Sequence, residues 1–342
     1  MTNPTLYKGV PVKPSTGARC LIAATVATLM LTACSSSGGS KAATTPKTIT
    51  IGVSFDLLNA TRQAEKSAIQ DAASAAGDKV IFDVADSDAQ KQASQIQDLI
   101  ETQKVNAIIA IAQDGQQITA SISLAKAKNV SFITIDRAVA DQQDITFQIT
   151  GDPVADGGLA AQQFTTAGTP MKVLELVGGL TDQNAIGRRD GFNAALAGNA
   201  NVTIVSQVPT DWDPSKALDG TSNALQKNPD INAIFIPSDF LLPSVQSALT
   251  AAGREAPIGD PKHVFIVTID GDQNGCAALK GKTIDADIAT LVSEFGKQAV
   301  DAAHNAISGK PVSPKTAQVK GLPLNQANFA STNSQVWGCA GS

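Results

Sequence analysis

Residues 129–137 read NVSFITIDR, and they close a run of β-branched and aromatic side chains on two opposite charges, Asp136 and Arg137. A carboxylate beside a guanidinium offers acceptors and a fork of donors together, the combination that grips a polyhydroxylated molecule. Similar polar endings recur along the chain. Ser54-Phe55-Asp56, with Asn59 just beyond, follows one apolar run, and Gln113-Asp114 follows another. Asn184 and Arg188 lie beyond Gly178-Gly179, and Asp211-Trp212-Asp213, Ser238-Asp239 and Asp270-Gly271-Asp272 close three more runs. Singly, such residues serve as helix N-caps, and Asp213 before Pro214 and Asp239 have that look. Jointly they occupy the carboxyl ends of strands, where open α/β sheets place their ligands.

Other chemistries lack their residues. Gly275 to Thr283 (GCAALKGKT) has five residues between its glycines where a phosphate-binding loop has four, and it precedes a strand instead of following one. His263 and His304 have no acidic or Cys neighbours at metal-ligand spacing, so no metal site is expected. No G-x-S-x-G or H-E-x-x-H occurs. Asp211 and Asp213 could in principle serve a hydrolase, but i, i+2 neighbours point apart on a strand. No catalytic residue and no cofactor is expected.

The elements that must position these groups alternate. Strands are predicted over 49–54, 80–84, 107–112, 132–136 and 145–150, with helices over 62–76, 89–102 and 117–128 between them. After a break at Gly151-Asp152-Pro153 the rhythm restarts. Strands over 172–177, 202–208, 233–237, 264–270 and 283–288 then alternate with helices over 185–197, 214–226, 242–252 and 273–279. A helix over 294–308 and a strand near 317–320 follow. Apolar residues three or four apart in the helical segments and alternation of β with α argue for an α/β fold. Two Rossmann-like halves, parallel sheets flanked by helices, are the architecture this implies.

The start of the chain reads as an address. Lys8, Lys13 and Arg19 precede an apolar stretch over 21–31 that is short for a bilayer span. Leu31-Thr32-Ala33-Cys34 then resembles a bacterial lipobox, with Cys34 as the lipidated residue. Residues 1–33 are the expected signal peptide and 34–46 (CSSSGGSKAATTP) a flexible tether. The remainder is long enough for two domains with their own cores. A net charge of −5 and a pI of about 5.1 argue against a nucleic-acid partner. Aromatic residues make up 4% of the chain and its one Tyr lies in the leader, so each Trp is worth locating. Beyond Cys20 and Cys34, an even pair remains, Cys276 and Cys339, which in an oxidising compartment reads as a disulfide.

Ile133-Thr134-Ile135-Asp136-Arg137, Gly151-Asp152, Arg188-x-x-Gly191-Phe192, Ile236-Pro237-Ser238-Asp239 and Thr268-Ile269-Asp270-Gly271 together resemble the ribose-type periplasmic sugar-binding proteins, type 1. These are the substrate-binding components of ABC importers. The resemblance spans about 47–312 and implies two lobes joined by a three-crossover hinge. Residues 47–150 with about 291–316 would form the N-terminal lobe, and 151–290 with about 317–342 the C-terminal one. It implies Asp136, Arg137 and Asp270 as ligands to hydroxyls, Ser238 as a small polar contact, and Trp212 as the stacking aromatic. Asp56, Asn59, Gln113, Asn184, Arg188, Asp239 and Thr290 complete the expected ligand set. Departures are informative. The ribose pattern has two Phe after the first strand where this chain reads Leu58-Asn59-Ala60-Thr61, a ligand arginine falls on Ile186, and a Gln falls on Thr290. Another pentose or hexose, or an acyclic polyol, is therefore expected in place of ribose. The implied protein is a monomeric lipoprotein outside the cytoplasmic membrane that hands its ligand to an ABC permease. A membrane sensor could use the same domain. Sugar-responsive regulators share the fold but carry a helix-turn-helix where this chain has its leader.

If Cys34 is acylated, wild-type protein partitions into the detergent phase of a cloud-point extraction, and Cys34→Ala moves it to the aqueous phase or leaves it unprocessed. Wild-type protein released without lipid would refute the lipobox.

Overall fold

The computed structural model describes residues 48–180 and 182–339. The expected signal peptide, the expected tether and Cys34 lie outside them. In the first lobe β1 (Thr50–Phe55), β2 (Lys79–Val84), β3 (Ala107–Ala110), β4 (Ser131–Asp136) and β5 (Phe147–Gly151) alternate with α1 (Ala60–Ala76), α2 (Ala89–Glu101) and α3 (Thr119–Ala127). The second lobe carries α4 (Pro153–Thr166), β6 (Met171–Val177), α5 (Gln183–Leu196), β7 (Val202–Pro209), α6 (Pro214–Lys227), β8 (Ala233–Phe235) and α7 (Leu242–Ala251). It continues with β9 (Phe265–Asp270), α8 (Gln273–Lys280) and β10 (Ala286–Ala289). The chain then returns to the first lobe as α9 (Val292–Ile307) and β11 (Thr316–Val319), and ends in the second with β12 (Leu322–Asn325) and α10 (Phe329–Thr332).

The first sheet has the order β11-β5-β4-β3-β1-β2, and the second β12-β10-β9-β8-β6-β7. All pairings are parallel except β10 with β12. Parallel sheets are covered on both faces, and the cores follow suit. Ile51, Val53, Ile109 and Ile133 pack with Phe295 and Ala299 of α9 on one face of the first sheet. Ile96, Ile108 and Phe132 pack with Ile122 of α3 on the other. In the second lobe Leu174, Ile234 and Ile266 meet α7 on one face. Val173, Phe235 and Val267 meet Phe164 and Phe192 on the other.

Polar residues at the strand ends begin the next helices. Asn59, Asp88, Asp152, Asp182, Asp213 and Asp272 each accept a backbone N–H of the following first turn, filling orphan donors. Pro153 and Pro214 stand at the first helical positions, where the absent N–H is no loss.

Three strands of chain cross between the lobes: Gly151-Asp152, Thr290-Leu291 and Lys320-Gly321. The third lies later than the expected boundary near 316/317. β11 pairs in parallel with β5, so 317–319 belong to the first lobe. Periodicity marks a strand but not the sheet edge it joins. Three elements escaped the sequence reading: α4, β12 and the short α10. β12 carries Pro323, which an edge strand tolerates and a central one does not. α4 carries Gly157 and Gly158, which weaken a helical pattern.

Gly157 is there for packing. A Cβ on it would lie 2.1 Å from the Arg188 carbonyl oxygen, and one on Gly191 would lie 2.0 Å from that of Val154. The two glycines let α4 and α5 touch backbone to backbone, which sets Asn184 and Ile186 of α5 against the cleft. Gly157→Ala or Gly191→Ala should destabilise by about 1–3 kcal/mol through overpacking. Gly158→Ala, with nothing within 4 Å of its Cβ, should be neutral or stabilising by up to about 1 kcal/mol. Urea denaturation of the three variants tests this; equal midpoints would refute the close-approach explanation.

Candidate functional site

β4 ends with Asp136 at φ 61°, a left-handed conformation that non-glycine residues adopt at a cost. The turn directs Asp136 to Arg62 of α1, whose Nη2 stands 2.8 Å from Asp136 Oδ2. Arg62 Nε meets Asp56 Oδ1 at 2.9 Å, and its Nη1 meets Glu65 Oε2 at 2.8 Å. One guanidinium therefore carries three carboxylates. Arg137 turns away from its neighbour, and its Nη1 lies 3.1 Å from the second oxygen of Asp56.

The second lobe offers a matching group. Asp270, at the end of β9, accepts from Arg188 Nη2 at 2.7 Å, from the Ser238 hydroxyl, and from Thr290 Oγ1 at 3.5 Å. Arg188 also donates to the Pro237 carbonyl oxygen at 2.6 Å. Trp212 lies over Gly178 and Gly179, where any Cβ would strike its ring. Its indole N–H donates to Asp182 at 3.2 Å. Asp182 Oδ2 in turn lies 4.0 Å from Arg137 Nη2, an ion pair across the lobes.

Between the lobes lies a cleft of about 940 Å³, lined by Gln113, Asp136 and Arg137 from one side and by Asp182, Asn184 and Ile186 from the other. Gln113, Asp136, Arg137 and Asn184 thus face it. Arg188, Ser238, Asp270 and Thr290 form one hydrogen-bonded group in the second lobe outside that lining, and Trp212 packs on Gly178 and Gly179 instead of entering it. Three more expected ligands serve other roles. Asp56 is fully buried behind Arg62 and Arg137 and acts on the cleft through them. Asn59 is exposed and caps α1 through the Arg62 N–H. Asp239 is fully buried and accepts from the Asp272 N–H at 2.6 Å. Strand ends supply caps and ligands from the same residue types, so the spacing could not sort them.

Arg62, Glu65 and Asp182 went unread. Arg62 and Glu65 sit three apart on α1, just beyond the stretch where aromatics are missing, so a buried cation enters where the sequence reading found only an absence. His263 and His304 are paired through the fold, with Asp285 at 2.9 Å and Asp78 at 2.6 Å, contacts from residues far off in sequence.

Burial and charge compete at each group. Burial alone would raise the Asp136 carboxyl, but Arg62, Arg137 and, from the opposite lobe, Arg188 hold it below the ordinary carboxylate value. Burial outweighs the Arg62 contact at Glu65 and pushes it up to about 8. It likewise lifts Asp156 to about 6 against the pull of Arg188. Burial and the charge of Asp270 raise Asp287, which abuts Asp239, to about 8.

A family profile described as "Periplasmic binding protein domain" matches residues 51–311. The ribose import binding protein of Bacillus subtilis is 30% identical over 299 residues, 84% of this chain and 92% of that protein. This chain belongs to the periplasmic binding protein family. A xylitol-binding protein of Mycolicibacterium smegmatis is 26% identical to it, covering 74% of this chain and 69% of that one. An ABC transporter solute-binding protein from Mycobacterium smegmatis, solved with bound glycerol, superposes with a TM-score of 0.72 at 26% identity over 83% of this chain and 96% of that one. Two lobes and an interlobe cleft are the type 1 fold of this family.

Glu65 and Asp287 hold their protons to about 8 in the folded protein, against ordinary values of 4.5 and 3.8, and Asp156 holds its proton to about 6. The folded state therefore binds more protons than the unfolded one across that window. Their contribution is complete below pH about 4 and is lost as pH rises to about 8. The Tm should fall over this range, and Glu65→Gln should flatten part of the fall. A Tm that climbs steadily to pH about 8 in the wild type would refute the assignment.

Proposed function

We propose that this periplasmic binding protein captures a neutral sugar or polyol between its lobes and presents it to an ABC permease, held at the membrane by lipid on Cys34. The observation that carries the ligand class is the pairing of charges at the cleft. Each guanidinium there is already matched by carboxylate: Arg62 by three, Arg137 by Asp56 and Asp182, Arg188 by Asp270. No spare cation remains among them to neutralise an acidic ligand. What remains on offer is hydrogen bonding. The Nε atoms of Arg137 and Arg188 and the Oε1 of Gln113 are buried without a partner, and a buried polar atom left so is costly. Hydroxyl groups donate and accept at once and would satisfy both kinds. The names of relatives that import ribose or bind xylitol support this chemistry.

Binding, not catalysis, is the proposed role. A ligand touching both lobes favours the closed arrangement by its differential affinity for it. The absence of an arginine at Ile186 and of any aromatic side chain from the cleft lining among the described residues fits an acyclic polyol, which presents less flat surface than a ring. Aromatic stacking matters less for such a ligand.

A thermal-shift screen over pentoses, hexoses, pentitols and tetritols tests the class. A ligand at a hundredfold excess over its Kd stabilises by about 2.7 kcal/mol. A shift with amino acids or nucleosides, and none with any sugar or polyol, would overturn the proposal. With a ligand in hand, Asp136→Ala or Asp270→Ala should weaken binding by about 1.5–3 kcal/mol, roughly tenfold to a few hundredfold. Trp212→Ala should cost more for a ring sugar than for an acyclic polyol. Wild-type affinity in calorimetry of all three variants would place the ligand elsewhere.

A further inference from the structure

Asp270 has an unusual backbone, with φ at 121°, and Gly271 follows it at 71°. The turn leads at once into α8, capped by Asp272. From below, Gly271 N–H donates to Asp287 at 3.2 Å and Asp272 N–H to Asp239 at 2.6 Å. From above it is covered by the C-terminal segment. Trp337 Nε1–H donates to the Asp270 carbonyl oxygen at 3.1 Å, and Gly338 N–H donates to that of Gly271 at 3.1 Å. A Cβ on Gly338 would lie 2.2 Å from the Asp272 carbonyl carbon, so only glycine lets the segment lie so close. Val336, 2% exposed, packs against Gly271. The segment is fastened by the Cys276–Cys339 disulfide, with Cα atoms 5.2 Å apart, and Cys276 stands in the first turn of α8.

We propose that Trp337, pinned by this disulfide, is a positioning residue for the ligand site: it holds Asp270 in its strained backbone conformation with the carboxylate turned toward Arg188 and Ser238. The clamp closes on the very peptide that carries the carboxylate. A left-handed non-glycine residue persists only where its surroundings over-determine it, and here the surroundings come from the last residues of the chain. Those residues do not reach the cleft themselves; they act on it through Asp270. Engaging the polar ligand through Asp270 rests on the sugar or polyol reading, whereas the clamp on the 270–275 turn does not.

The experiment has two arms. In ligand-free protein, amide hydrogen exchange is followed at 271–275, with 233–235 of β8 as the reference. Trp337→Phe keeps an aromatic ring and drops the indole N–H, and should speed exchange at 271–275 by about tenfold while β8 stays as in the wild type. Cys276→Ala with Cys339→Ala should do at least as much. In the second arm, calorimetry with D-ribose and xylitol as probes compares Trp337→Phe in the wild-type and Asp270→Asn backgrounds. A loss of about tenfold in the first and none further in the second shows that Trp337 acts through Asp270. An equal loss in both backgrounds, or unchanged exchange at 271–275, overturns the proposal. Should neither probe bind the wild type, the exchange arm decides the clamp on its own, and the ligand class stands or falls by the thermal-shift screen.

Discussion

Burying a guanidinium is tolerable only when carboxylates surround it, and the arrangement of this protein follows from meeting that condition on both sides of one cleft. An unpaired charge moved out of water costs several kcal/mol or more, while bidentate and charge-assisted contacts recover much of it. Arg62 and Arg188 are 5% and 8% exposed; Arg62 is met by three carboxylates, and Arg188 by Asp270 and a backbone carbonyl. Removing a single partner would strand the others. The site is therefore a set of mutually dependent pairs, which keeps Asp136 and Asp270 oriented before any ligand arrives. Preorganisation of this kind lowers the ordering cost of binding.

The same condition explains which groups keep their protons. Arg62 faces three carboxylates, more than one positive charge can balance, and Glu65 is the member that burial leaves protonated near neutrality. Asp239 and Asp287 lie together, and burial raises both, helped at Asp239 by the charge of Asp287 and at Asp287 by that of Asp270. A shared proton lets this pair accept the backbone N–H groups of Gly271 and Asp272 without two full negative charges under the binding carboxylate.

Backbone strain recurs at the site, though not there alone. Asp136, Trp212 and Asp270 all have positive φ, and all three stand at or just beyond strand ends. Rigid flanking structure holds them: parallel strands behind, capped helices ahead, and at Asp270 a disulfide-fastened tail. The three crossovers leave the lobes free to move as bodies while each half of the site stays intact. The 4.0 Å approach of Arg137 to Asp182 is the charged contact that such movement would break or tighten.

The alternation of apolar runs with helical patterns determined the α/β class and the two-lobe organisation, because burial on both faces of a parallel sheet demands that composition locally. The same local logic made Asp136-Arg137 and Asp270 legible as candidates, since strand ends and charge are both visible along one dimension. Which strand-end residues face the cleft and which cap helices was decided only by tertiary structure: Asn59 and Asp239 match Asn184 and Ser238 in type and setting, yet one is a cap and the other lies in the core. Arg62, Glu65 and Asp182 became visible only when α1 and α5 were brought against the strand ends. α4 and β12 were hidden by Gly157 and Pro323, residues that contradict local propensity for the sake of a helix contact and a sheet edge. The final crossing at Lys320-Gly321, the pairing of His304 with Asp78, and the closing of Trp337 over Asp270 all depend on contacts between residues far apart in the chain. Local pattern records what each segment must bury. Partners far off in sequence leave no such trace, because charge pairing and close backbone approach are settled only when the segments meet.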